Sequence, residues 1–139
     1  MKSFKKSLIM IGICLLATEA NAFHLPVMDR MNHELAGHGT FEPVQHNVSG
    51  NFEITQQGSN LVLELSEDFQ SDMGPDLRIT LGDSGNSSPM IVVAQLKMNQ
   101  GKQRYILPIL ENDLKRYNTV SIYCLKYSVT FGMAHIVAD

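Results

Sequence analysis

The sequence predicts an all-β fold, a single-domain antiparallel β-sandwich or flattened barrel of about seven or eight short strands. Three observations carry this. From Thr40 onward, apolar and polar residues alternate with a period of two. Clusters of Gly, Asn, Ser and Pro recur about every 8 to 12 residues, the spacing of turns between short strands. The stretch Thr119–Ala134 is the chain's richest run of β-branched and aromatic residues.

The chain opens on a targeting pattern. Lys2, Lys5 and Lys6 precede the apolar run Ser7–Ala17, which is too short to span a bilayer, and Ala20-Asn21-Ala22 has the small-x-small form of a cleavage site. Cleavage after Ala22 is expected, with an exported product, periplasmic or secreted. Lipid attachment at Cys14 is disfavoured, because Ile13 stands where a small residue is needed.

Residues 23–38 form a leader, helix or coil, ahead of a domain at 39–139. Val27, Met28, Met31 and Leu35 share one helical face, and Gly37 could end that helix. Gly39–Pro43 and Val48–Gln56 then read as strands. Gln57–Asn60 is a turn, and Leu61, Leu63 and Leu65 continue as the second arm of a hairpin. Ser66–Pro75 is polar and irregular. Asp76–Leu81 places Leu77, Ile79 and Leu81 on one face. Gly82–Pro89 is a loop. Met90–Leu96, apolar on both faces at its start, reads as a central strand. Gln103–Leu107 follows, stopped by Pro108, and Glu111–Tyr117 is a short surface helix or 3₁₀ turn. In the last long run Val120, Ile122 and Cys124 share a parity, and a bulge or turn near Lys126–Ser128 resets the phase.

Composition narrows the function classes. Setting aside Lys2, Lys5, Lys6 and Glu19 takes eleven basic and fourteen acidic residues to eight and thirteen. An acidic domain without a basic cluster argues against nucleic acid or an anionic membrane as partner. No nucleophile elbow, phosphate-binding glycine loop or Ser-His-Asp order stands out, so an enzyme is less expected than a redox or binding module, and the class stays open.

Cysteine is more informative. Cys124 is the sole thiol once the N-terminal segment is removed. It is a buried inert thiol, an intermolecular disulfide that would join a homodimer if exposed, or a redox or ligand group. A reactive thiolate needs a positive or metal neighbour, and Lys126 would share its strand face under regular pairing. His46, at a loop-to-strand junction, is the companion candidate for a metal site with Cys124, or else caps a turn. Asp76 is either a binding-loop carboxylate or plain turn chemistry after Pro75. His33 and His38, with His24 upstream, have a nonspecific spacing, and His135 has no evident partner. Asp68, Asp72 and Asp76 lack the glycine and glutamate of a calcium loop. Asn47 and Asn86 begin glycosylation sequons.

Seven short motifs fall in order along the chain: Gly39–Phe41, His46–Gly50, Leu63–Phe69, Gly74–Leu77, Gly101–Pro108, Val120–Cys124 and Val129–Ala134. Together they resemble the electron transfer DM-thirteen domain family over about residues 39 to 136. The resemblance implies an extracytoplasmic β-domain acting as a small redox or electron-transfer module with a redox or other protein partner. It also implies that the cysteine at Cys124 carries the electron as a bare thiol, or holds a group such as haem, copper or iron. A noncatalytic binding module with Cys124 packed in the core is the rival.

Overall fold

The computed structural model describes residues 33–86, 89 and 91–139. The cleavage site after Ala22, Cys14, His24 and the expected helical turn from Val27 to Met31 lie outside them.

The order is β1 Glu34–Thr40, β2 Glu42–Pro43, β3 Val48–Ser49, β4 Asn51–Gln57, β5 Asn60–Leu65, β6 Gln70–Ser71, β7 Leu77–Gly82, β8 Ile91–Gln95, β9 Gln103–Ile106, α1 Glu111–Leu114, β10 Thr119–Cys124, β11 Val129–His135 and β12 Val137–Ala138. Two five-stranded sheets make a sandwich without closing into a barrel. Sheet one runs β12-β1-β4-β5-β9 and sheet two runs β2-β11-β10-β7-β8, while β3 and β6 form a small separate pair. Every strand pairing is antiparallel.

The core is what the alternation demands. The β4–β5 hairpin turns at Gly58, whose φ of 64° suits a residue without a side chain. Its register sets Phe52 opposite Leu65 and Ile54 opposite Leu63, all buried. In sheet two, Val120 lies opposite Leu81, Ile122 opposite Ile79 and Cys124 opposite Leu77. These rows face each other across the sandwich. Burying each large aliphatic side chain contributes about 1.5–3 kcal/mol. Phe41 packs against both Phe52 and Phe69, at ring-centroid distances of 5.8 and 5.6 Å.

Three expectations change. The described end of the leader is strand: β1 begins at Glu34 and takes Leu35, Gly37 and His38 into sheet one. Its inward positions include Gly37 and Gly39, so no apolar alternation announces it. A Cβ at Gly39 would sit 2.3 Å from the His135 carbonyl oxygen and 2.6 Å from the Phe52 ring, which explains why the inward face is bare.

β8 is an edge strand, not a central one. Among the described residues it pairs only with β7, and a bulge there opposes Ile79 to Ala94 and Thr80 to Val92. Val93 is the extra residue. The apolar run therefore marks a change of phase, and Val92 is left 40% exposed.

In the last hairpin the turn does fall at 125–128, with Ser128 at φ 56°. The register slip lies further on, between the Ile122–Gly132 and Tyr123–Thr130 pairs, which makes Phe131 the bulged residue. Phe131 thereby joins the core.

Candidate functional site

Cys124 ends β10 and points inward, with 0% exposure. Its cross-strand neighbours are Leu77 and Val129. Its Sγ donates to the Pro75 carbonyl at 3.1 Å. Pro75 itself is exposed, so the thiol lies directly beneath a surface residue at one end of the sandwich.

The turn over the thiol is pinned on both sides. Asp76 adopts φ 61°, its carbonyl accepts from the Leu125 amide at 3.1 Å, and its carboxylate accepts from Arg78 Nε at 2.7 Å. That carboxylate is committed to Arg78. Lys126 does not share a strand face with Cys124, because β10 stops at Cys124 and Lys126 lies exposed in the hairpin turn.

His46 belongs to the same end of the fold. Its ring stacks on Phe131 at a centroid distance of 4.0 Å, and its amide donates to the Phe131 carbonyl at 3.1 Å. Its Nδ1 stands 3.7 Å from Asp72 Oδ2. Asp72 also accepts from the Asn47 amide at 2.8 Å and donates its own amide to the Asn47 carbonyl at 2.9 Å. The segment 72–76 thus holds His46 at one end and Cys124 at the other.

No contact among the described residues joins the imidazole to the thiol. Nor do any three His, Cys, Asp or Glu side chains among them converge in a group that could hold a metal ion. Asp68, Asp72 and Asp76 have separate partners in Ser66, Asn47 and Arg78. His38 faces Asp139 at 3.7 Å, and His33 and His135 are exposed. A thiol enclosed by aliphatic neighbours and a carbonyl does not fit as a haem, copper or iron ligand in this arrangement. The enclosed thiol also does not meet the exposure that a disulfide-linked homodimer requires.

A second feature escapes the sequence reading. The outward face of sheet two carries a polar hollow of about 460 Å³. Thr80, Thr119, Ser121 and Tyr123 form its floor, and the loop at Asp83 and Ser84 forms part of its wall. Asn118 secures that loop by donating to Asp83 Oδ1 at 3.0 Å and accepting from the Ser84 amide at 2.7 Å. The Gly85 amide and Asn118 hold the Asp83 carboxyl below its ordinary value. The available signal is the outward row of β10, Thr119, Ser121 and Tyr123, which carries hydroxyls and no charge, with Thr80 of β7 beside it.

Fold and site define a small antiparallel β-sandwich with one core thiol capped by a turn. Residues 40–136 match the family described as Electron transfer DM13, and the chain belongs to that family. It is thus a domain of an electron-transfer-related class. Comparison with curated proteins found no match, and comparison with solved structures found none.

Proposed function

We propose that this chain is an exported electron-transfer module in which Cys124 is the working group, approached through the end of the sandwich that Pro75 covers. One observation carries this reading: the buried sulfur is bonded to the carbonyl of an exposed residue, and apolar side chains stand exposed around it. Met73 is 84% exposed, and Leu125 and Tyr127, on the adjoining hairpin turn, are also open. Redox encounters use small interfaces, below about 1,200 Å² in total. An apolar patch over a shielded sulfur suits such a brief contact. Burial also protects the thiol from the stepwise oxidation that follows exposure. The N-terminal targeting pattern supports export. No step is assigned to a metal or haem, for which the described residues offer no ligand set.

A second reading is favoured by the position of Cys124 in line with Val120 and Ile122. Here the protein is a noncatalytic extracytoplasmic binding module, and Cys124 is a core thiol.

Protein-film voltammetry on the protein purified from its native compartment separates the two, alongside its absorption spectrum and metal content. The first reading expects a reversible one-electron response, the Cys124 thiol giving an electron to the electrode and its proton to solvent and regaining both, that disappears in Cys124→Ser while the circular dichroism spectrum is retained. A response of equal size in Cys124→Ser, or none in the wild type, leaves the binding module.

A further inference from the structure

We propose that the hollow on the outward face of sheet two is a binding site for a neutral, polyhydroxylated ligand of saccharide class. The reading is independent of the role of Cys124.

The argument starts from parity. Val120, Ile122 and Cys124 of β10 point into the core, as do Leu77, Ile79 and Leu81 of β7. Thr119, Ser121, Tyr123 and Thr80 must therefore point outward. Outward positions of a sandwich are ordinarily solvated, yet Thr80 is 1% and Thr119 2% exposed. They lie at the bottom of a walled hollow.

The chemistry of the lining selects the ligand. The hydroxyls of Ser121, Tyr123 and Thr130 have no side-chain hydrogen-bond partner among the described residues. Gln56 Oε1 is the one fully enclosed side-chain polar atom without a partner among them. Those hydroxyls are therefore open to the hollow. Thr80 makes only a long contact, 3.5 Å to the Ser121 carbonyl. Each hydroxyl can both donate and accept, which matches another hydroxyl without calling for a charge.

Among the described lining residues none is Lys, Arg or His, and Arg78, the cross-strand neighbour of Tyr123, is bonded to Asp76, which disfavours an anion; Asp83 is the single carboxylate among those lining residues, too few for a cation site. Tyr123, 7% exposed at the floor of the hollow, adds a further hydroxyl and a small apolar contact. The volume of about 460 Å³ falls within the range of small-molecule sites, about 300–1,000 Å³.

The test is amide chemical-shift mapping on the isotope-labelled full protein with glucose, galactose, N-acetylglucosamine and maltotriose. Each would be added at about 20 mM, which fills about nine-tenths of a site with a Kd of about 2 mM. The expected result is saturable shifts at Thr80, Thr119–Tyr123 and Thr130 with at least one of these sugars. Ser121→Leu, which projects a branched side chain into the hollow, should weaken binding at least tenfold. Thr130→Val, which keeps the shape and removes one hydroxyl, should weaken it severalfold and guards against a folding defect in the first variant. Glu53→Gln on sheet one should leave binding unchanged. The proposal is overturned if none of the four sugars shifts these amides. It is equally overturned if the shifts map to another surface, or if both hollow variants bind as the wild type does.

Discussion

The Cys124 thiol donates to the carbonyl of Pro75 at 3.1 Å, across 49 residues of chain. This bond ties the end of β10 to the turn that covers it. If it contributes to stability, a side chain that can still donate should be tolerated better than one that cannot. Cys124→Ser is therefore expected to cost less than Cys124→Ala. The alanine variant loses both volume and the bond, for about 1–3 kcal/mol. Urea unfolding of the two variants checks this. The reverse order would mean that the sulfur acts there only as a packed hydrophobe.

Gly74 permits the same turn to close over the core. A Cβ at this position would stand 2.7 Å from Phe131 Cζ and 3.1 Å from Leu77 Cδ2. Phe131 cannot easily retreat, because His46 stacks on it. Gly74→Ala should lift the turn, cost about 1–3 kcal/mol as overpacking does, and speed the reaction of Cys124 with a thiol reagent in the folded state. An unchanged labelling rate would argue that the turn does not control access to the sulfur.

The legible parts of this fold are those where side chains advertise their face. Phe52 and Ile54 against Leu61, Leu63 and Leu65 define a hairpin without any structure, and the parity of Val120, Ile122 and Cys124 already turns the thiol inward. β1 is hidden because its inward positions include glycines, and β8 reads as a central strand because one bulged valine imitates two-sided burial. At the site, Gly74–Asp76 is readable as a turn from its composition. That it covers Cys124 is not readable, since local chemistry carries no information about a contact 49 residues away. The hydroxyl hollow is not legible for a different reason: Thr, Ser and Tyr at alternate strand positions are ordinary β-formers, and only their depth distinguishes them.

Asp72 anchors the His46 loop through the Asn47 amide at 2.8 Å. Asp72→Asn keeps an acceptor for that amide but removes the negative charge beside the imidazole. The His46–Asp72 contact is half exposed, so the loss should stay below about 1 kcal/mol. Asp72→Ala also removes the acceptor and should cost more, about 1–2 kcal/mol. Denaturation midpoints with and without a chelator extend the test. With no described cluster of ligands, the chelator is expected to leave both midpoints unmoved. A chelator-sensitive wild type would point to a metal held in a way this geometry does not contain.

Tyr105 offers a pH test of the edge strand β9. Its hydroxyl donates to Gln103 Oε1 at 2.6 Å and accepts from the Lys97 amide at 2.9 Å, while Gln103 also bonds Met98 through both its amide and its carbonyl. This network fastens β9 to the loop before it. Burial raises the phenol above its ordinary value of 10.0, and the Lys97 N–H opposes that rise. The raised value means that folding favours the neutral phenol. The stabilisation is therefore fully present below pH 10.0, the unfolded value, and is lost as pH climbs through the higher folded value. Tyr105→Phe should cost about 1–3 kcal/mol at neutral pH, because the part-buried bond from the Lys97 amide and the bond to Gln103 Oε1 are both lost. The same variant should flatten the alkaline fall in stability. Melting temperatures of the two proteins measured from neutral pH to beyond pH 10.0 give both quantities. A variant that is less stable at neutral pH yet falls as steeply in alkali would place the alkaline titration in another residue.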